Sequence, residues 1–363
     1  MPPDWENLSH EDVPGRSRPS RPRSKRRPAH ADAVPAMVIA VDRGRYLTRL
    51  DGRDVIAVKA RELGHRGVVV GDLAYLVGDT SGDRGALARI VRIGPRRTEL
   101  TRATEEGRGR ERVIVAGADQ MVVVTALAEP PPRIGMIDRQ LVAAYDAGLE
   151  AVICLTKSDL GSPAELRALY EPLGVEVIAT GRLRSDSEVP ERAEDSERPI
   201  GADRGDGIGQ PPDPLTGLEP LRERLTGHLS VLVGHSGVGK STLINALVPG
   251  AARATGGVNL VTGKGRHTSS SAVALELPEG GWVIDTPGVR SFGLSHVRPE
   301  RVLAAFPDLT DISDHCPRGC PHGPDLRECV LREWAQGSPE RQMRLDSYSR
   351  IMNSLAAHDR ATH

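Results

Sequence analysis

Cysteine is scarce in this sequence, with four in 363 residues. So few cannot staple a chain of this length, which excludes a disulfide scaffold. No apolar run approaches the roughly 20 residues that span a bilayer. The N-terminal stretch holds charges and prolines but no apolar h-region, so it does not read as a secretory signal. A soluble cytoplasmic protein with no membrane partner is expected. Charge of one sign is missing too: the formal net charge is -1, which excludes binding of nucleic acid by bulk charge alone. Lysine is the rarest of the charged residues, at five of the 48 basic ones. Where a lysine does stand, it is informative.

The length suggests two or three domains. Residues 1–35 are rich in Pro, Arg and Ser, with seven basic and no acidic residues between Val13 and Ala31. They read as a disordered basic tail, either solvated or lying along phosphates. Residues 36–98 carry five short β-like runs: Met37–Val41, Tyr46–Leu50, Val55–Val58, Leu73–Val77 and Leu87–Val91. Five strands in so short a span suggest a small closed barrel, OB-like or SH3-like. Residues 99–298 then alternate strand and helix, as a parallel sheet flanked by helices does. The strands are Met121–Thr125, Ala151–Leu155, Val175–Ala179 and Ser230–Val233, with helices over Ile134–Ala147, Ser162–Tyr170 and Leu218–Leu225. Residues 182–214 interrupt the pattern with nine acidic and five basic residues and scarcely any large apolar side chain, and read as a disordered insertion. Residues 299–363 hold a cysteine cluster and two helical stretches, Asp325–Ala335 and Pro339 to about Ala357.

The chemistry begins at Gly234. Gly234, His235, Ser236, Gly237, Val238, Gly239, Lys240 and Ser241 form G-x-x-x-x-G-K-S between a strand and a helix that opens with Thr242. Glycines let the backbone wrap phosphates, so that N–H groups point inward at the positive end of a helix dipole. Lys240 would reach the β- and γ-phosphates, and the Ser241 hydroxyl would ligate Mg²⁺. Asp285-Thr-Pro-Gly288 follows a strand-like run; Asp285 can hold Mg²⁺ through water, and the Gly288 N–H can meet the γ-phosphate. Thr156, Lys157, Ser158 and Asp159 end a buried strand. The Asp159 carboxylate matches the two adjacent donors of guanine, which adenine lacks, and the Lys157 stem can lie over the base. Ala179-Thr180-Gly181 can supply a backbone N–H to guanine O6. Thr268 can add a hydroxyl to Mg²⁺, although a plain polar loop reads the same way. Two of the five lysines thus fall where nucleotide chemistry wants an ammonium.

Cys316-x₃-Cys320-x-His322-x₆-Cys329 offers three thiolates and an imidazole within fourteen residues. Four such ligands suit tetrahedral Zn²⁺ in a closed structural site. His315 is a second imidazole close by.

In an ordinary GTPase the phosphate loop comes first and the base-reading loop late. Here residues 156–159 precede 234–241, 268 and 285–288. The chain therefore resembles the RsgA family, the permuted GTPases also called YjeQ or EngC. The resemblance extends over residues 36–345 and includes Val70-Gly-Asp72 and Ile137-Asp-Arg139. It implies an α/β P-loop GTPase domain, circularly permuted, preceded by an OB-like barrel and followed by a small zinc-binding helical module. It also implies GTP/GDP with Mg²⁺, one structural zinc, and hydrolysis stimulated by the 30S ribosomal subunit during its late maturation. The implied partners are that subunit, its 16S rRNA and assembly factors on it, with the protein a monomer. The family usually has Asn where Thr156 stands, and its cysteine spacing is one residue longer before the second Cys and one shorter before the last. Val289 stands where many GTPases carry a water-orienting Gln; His267 is the catalytic candidate by sequence proximity and family analogy, although a solvated loop histidine reads the same way. Two other readings remain: an RNA-binding assembly module that senses GTP with negligible turnover, and a P-loop ATPase or kinase.

Overall fold

The computed structural model describes residues 30–64, 67–103, 111–182, 215–251, 272–286, 297, 299–320, 322 and 329–362. The basic tail up to residue 29, nearly all of the 182–214 insertion, and the candidate residues His267, Thr268 and Gly288 lie outside that set.

The barrel consists of β1 (Val34–Asp42), β2 (Arg45–Leu50), β3 (Arg53–Lys59), β4 (Leu73–Gly78) and β5 (Ala88–Ile93). All five runs read from the sequence are strands. Alternate residues such as Ala36, Val38, Val55, Ala57, Leu76 and Ile90 fill its core. The strand order β1-β2-β3-β5-β4, with β4 closing back on β1 and β3 parallel to β5, is what strand count alone left open. It is the five-stranded Greek-key arrangement of an OB-fold. The tail boundary at residue 35 moves: Val34 and Pro35 already pair with Leu76 and Tyr75. A proline is tolerated near a strand start, where its missing N–H costs little.

A hairpin of β6 (Glu99–Ala103) and β7 (Glu111–Ala116) follows the barrel. Val70-Gly-Asp72 joins the two. The Ala116 N–H donates to Val70 O at 3.0 Å and the Gly71 N–H to Val38 O at 2.8 Å. At Gly71, with φ +87°, a Cβ would sit 2.0 Å from Ala116 O, so only glycine allows this approach.

The α/β domain runs β8 (Gln120–Ala126), α1 (Ile134–Asp146), β9 (Glu150–Thr156), α2 (Ala164–Tyr170) and β10 (Glu176–Ala179). A two-residue ribbon, β11 (Gly181–Arg182) with β12 (Leu215–Thr216), closes the base of the insertion. Then come α3 (Leu218–Leu225), β13 (Leu229–Val233), α4 (Lys240–Leu247), β14 (Val273–Glu276) and β15 (Trp282–Asp285). The sheet order is β10-β9-β8-β13-β15-β14, all parallel except β14. The central strands are apolar on both faces, as a sheet covered by helices requires. α1 and α2 cover one face, through Leu141, Leu166 and Tyr170. α3 and α4 cover the other, through Leu221, Leu225 and Leu243. β8 and β13 are neighbours whose following helices leave on opposite faces, which opens a crevice at their carboxyl ends.

Among the described residues of the C-terminal part are four helices: α5 (Pro299–Ala304), α6 (Pro307–Ser313), α7 (Val330–Ala335) and α8 (Pro339–Thr362). The helix expected from Asp325 starts at Val330, because Cys329 keeps an extended backbone (φ -79°, ψ 120°) beside the metal-ligand cluster. These helices have no separate core. Phe306, Leu331, Tyr348 and Ile351 join the α1–α2 side of the sheet. Phe306 packs edge-on between Tyr145 and Tyr348, with ring centroids at 5.0 and 5.7 Å. Among the described residues, no helix is long and apolar enough to cross a membrane.

Candidate functional site

The phosphate loop hangs from the end of β13. Gly234 passes β8 so closely that a Cβ would lie 2.5 Å from Val124 O. Gly237 and Gly239 both have φ +85°, which turns successive N–H groups to one side. Val238 is fully buried and pins the loop. No side chain caps the start of α4, so its first N–H groups face the crevice as an anion site needs. Lys240 Nζ donates to Asp285 Oδ1 at 2.7 Å and to Thr286 O at 3.1 Å. The Thr286 hydroxyl donates to Leu232 O at 2.8 Å, holding the end of β15 against β13. Lysine, loop and Asp285 are thus assembled at one place although they are some 45 residues apart.

The base side is built by the ends of β9 and β10. Thr180, buried, donates its N–H to Leu155 O at 2.7 Å and accepts the Ser158 N–H at 3.0 Å. The Thr156 hydroxyl donates to Val238 O at 2.5 Å, with Thr125 O at 3.3 Å. Threonine thereby ties the base loop to the phosphate loop with its single donor. Lys157 takes a left-handed backbone (φ 57°) and its ammonium donates to Glu129 O. Asp159 Oδ1 accepts the Arg182 N–H at 3.0 Å. A Cβ on Gly181 would meet Ser158 Oγ at 2.5 Å and the Asp159 N at 2.9 Å. Beneath Thr180 lies Cys154, whose thiol burial pushes up to about 12, so it is an inert core group.

Thr156, Lys157, Asp159, Thr180, Gly239 and Thr242 all line one cavity of about 350 Å³, a size that suits a nucleoside. It sits in the crevice opened by the reversal of strand order between β8 and β13. The rest of the phosphate loop adjoins it, with His235 Nδ1 2.8 Å from Ser236 O and Ser241 at the exposed start of α4. Leu160, Arg182, Leu215 and Leu243 also line it. Arg182 and Leu215 carried no motif, since they meet only across the insertion.

The second constellation lies between α6 and α7. One donor atom each from Cys316, Cys320, His322 and Cys329 falls within 4.8 Å of the others. The sulfurs of Cys316 and Cys329 are 3.9 Å apart, and His322 Nδ1 is 3.8 Å from Cys329 Sγ. Thiolates 2.3 Å from a tetrahedral zinc stand about 3.8 Å apart, so the cluster is compatible with that ion. His322 turns in with φ 50°, while His315 is exposed and outside the group. Burial, with the neighbouring thiols, pushes the Cys329 thiol up to about 12, and burial lowers His322, which favours the neutral imidazole a metal takes.

The RsgA GTPase family profile matches residues 93–191 and 212–295, the phosphate loop and the base loop among them. The chain is 35% identical over 299 residues to the small ribosomal subunit biogenesis GTPase RsgA of Ectopseudomonas mendocina, covering 80% of this chain and 76% of that one. The chain belongs to the RsgA GTPase family. The protein of that name from Pseudomonas aeruginosa is 35% identical over 286 residues, 77% of this chain and 74% of the other. The crystal structure of YloQ, described as a circularly permuted GTPase, superposes with a TM-score of 0.60 over 92% of this chain and 98% of its own, at 21% identity. YjeQ from Thermotoga maritima gives 0.59 over 89% and 99%, at 22% identity. As an RsgA-family protein the chain is a GTPase, and its gap in the profile falls inside the acidic insertion.

Proposed function

We propose that this GTPase works on the small ribosomal subunit as the subunit matures, and that the subunit stimulates its hydrolysis of GTP. The observation that carries the reading is that the Thr156–Asp159 loop and Gly239 share one cavity, with Thr156 bonded to Val238 and Lys240 to Asp285, in permuted chain order. The relatives' shared name, small ribosomal subunit biogenesis GTPase, supplies the partner. The 16S rRNA and assembly factors on the subunit belong to the same reading, as do a monomeric state and a cytoplasmic location.

In this reading Asp159 selects guanine, Thr156 holds the base loop to the phosphate loop, and Lys240 leaves Asp285 for the β- and γ-phosphates. Ser241, Asp285 and Thr268 would hold Mg²⁺, which neutralises charge on the β- and γ-oxygens when bound. Gly288 would meet the γ-phosphate. Val289 cannot orient water, so His267 is assigned that task once the subunit closes the loop around it. Groups supplied or aligned by a partner are worth on the order of 10³–10⁵ in rate. Single-turnover GTP hydrolysis titrated with purified 30S subunits tests the proposal. Strong stimulation is expected in the parent, and His267→Ala should lose most of it while binding GTP normally. Turnover that stays negligible with saturating subunits would leave GTP a sensed ligand.

We also assign one Zn²⁺ per chain to Cys316, Cys320, His322 and Cys329. The donor set and the 3.8–3.9 Å spacing support it. Elemental analysis of purified protein should find one zinc per chain, and Cys320→Ser should lose it. Because the nucleotide cavity shares no residue with the cluster, GTP affinity should change less than about threefold. Folded, active parent protein free of zinc would refute the assignment.

A further inference from the structure

The outward residues on the β2–β3 side of the barrel are already engaged. Leu47, Arg49 and Ile56 face Val273 and Trp282 of the GTPase sheet across a cavity of about 510 Å³. Arg49 bridges Asp54 at 2.9 Å and Glu276 at 3.0 Å, with its guanidinium over the Trp282 ring. That is the face an OB-fold ordinarily gives to oligonucleotides. Here it looks onto the neighbouring domain.

The β4–β5 side is built differently. β4 turns Leu73, Tyr75 and Val77 outward, and β5 turns Arg89 and Arg92 outward beside them. Tyr75 stands opposite Arg92, and Val77 opposite Arg89. The Arg92 guanidinium carbon lies 3.6 Å from the Tyr75 ring centroid, so the two planes are stacked. Both arginines are exposed. Neither meets a carboxylate among the described residues, and neither strand contains an acidic residue. Leu73 and Leu87, exposed at 43% and 48%, border the row.

We propose that the outer face of β4 and β5 is an RNA-docking surface that takes a single-stranded or looped segment. Two cations that meet no carboxylate among the described residues call for a polyanion. A guanidinium held flat on tyrosine offers its second face to a base, and stacking of this kind tolerates any sequence. Arg92 takes the base, Arg89 the adjoining phosphate, and Leu73 and Leu87 the edges of neighbouring bases. The proposal deepens the reading above, because the maturing subunit is the source of such RNA.

The test uses the full chain and a labelled mixed-sequence RNA of about 12 nucleotides, within the site size of such folds. Fluorescence anisotropy is read across a salt series, with GTP hydrolysis as the folding control. Arg92→Ala should weaken binding about tenfold, and Arg92→Lys, which keeps the charge but not the plane, should recover little of it. Arg89→Ala should flatten the log–log salt slope by about 0.7, one phosphate's share on a single strand. Basal hydrolysis should not change in any of them. Parental RNA affinity in the Arg89→Ala/Arg92→Ala double variant overturns the proposal, and if that variant also loses 30S binding the face docks a protein instead. A parent that binds 30S subunits but not the RNA overturns the proposal alone; a parent that binds neither overturns the ribosomal reading with it.

Discussion

Arg96→Met should cost the protein about 3–5 kcal/mol of stability, the range found when one partner of a buried ion pair is removed. Arg96 is only 9% exposed in its side chain, and Asp72 is 0% exposed. The guanidinium grips both carboxylate oxygens, at 2.6 and 2.8 Å, and donates to Gly67 O at 2.8 Å. Asp72 Oδ2 also accepts the Val69 N–H at 2.8 Å. With methionine at 96, that carboxylate stays buried with one backbone donor and no counter-charge. In a chain of this size the thermal midpoint should fall on the order of 10 °C. Asp72→Asn added to Arg96→Met should recover part of the loss, because a neutral amide is cheaper to bury than a carboxylate. Thermal and urea denaturation read the effect. A variant that melts with the parent would mean that the pair does not hold the barrel to the hairpin.

Asp159→Asn should move the base preference from guanine to xanthine. The Arg182 N–H donates to Oδ1 at 3.0 Å, which would leave Oδ2 for the proposed base. Gly181 lies on the same side as Arg182: a Cβ there would come within 3.1 Å of Oδ1. An asparagine in this clamp keeps its carbonyl on Arg182 and turns its NH₂ toward the base. That donor opposes the guanine amino group and matches the xanthine 2-oxo group. A pairing mismatched in this way leaves buried polar groups unpaired, and GTP affinity should drop on the order of 10²-fold or more. XTP should gain. Fluorescent-nucleotide titration decides it, and unchanged GTP affinity would remove Asp159 from the base site.

The parts of the site that were legible in the sequence are those whose chemistry is set by the backbone or by a short spacing. Gly234, Gly237 and Gly239 had to be glycines for steric reasons that hold in any protein. The run from Thr156 to Asp159 carries its own chemistry, and the cysteines crowd within fourteen residues. What could not be read depends on partners far away along the chain. Arg96 and Asp72 are 24 residues apart, and nothing local marks them as a pair. Arg182 and Leu215 meet across the insertion. The β6–β7 hairpin forms a two-stranded sheet of its own, and its bridge from Val115 to Val70 spans 45 residues of chain. α5 and α6 were missed although Pro299 and Pro307 stand in their first turns, where proline favours a helix start.

The barrel also changes what lies at the rim of the sheet. β14 is the outermost strand of the GTPase sheet, and beyond it stands β1 of the barrel, paired through Ala40 and Val273. An open strand edge is a template for another chain, and proteins blunt such edges by covering them. At the opposite rim β10 is only four residues long, too short to recruit a neighbour readily. The barrel therefore serves as a terminal cap against self-association, and a GTPase domain cut free of it would offer β14 to a second copy of itself.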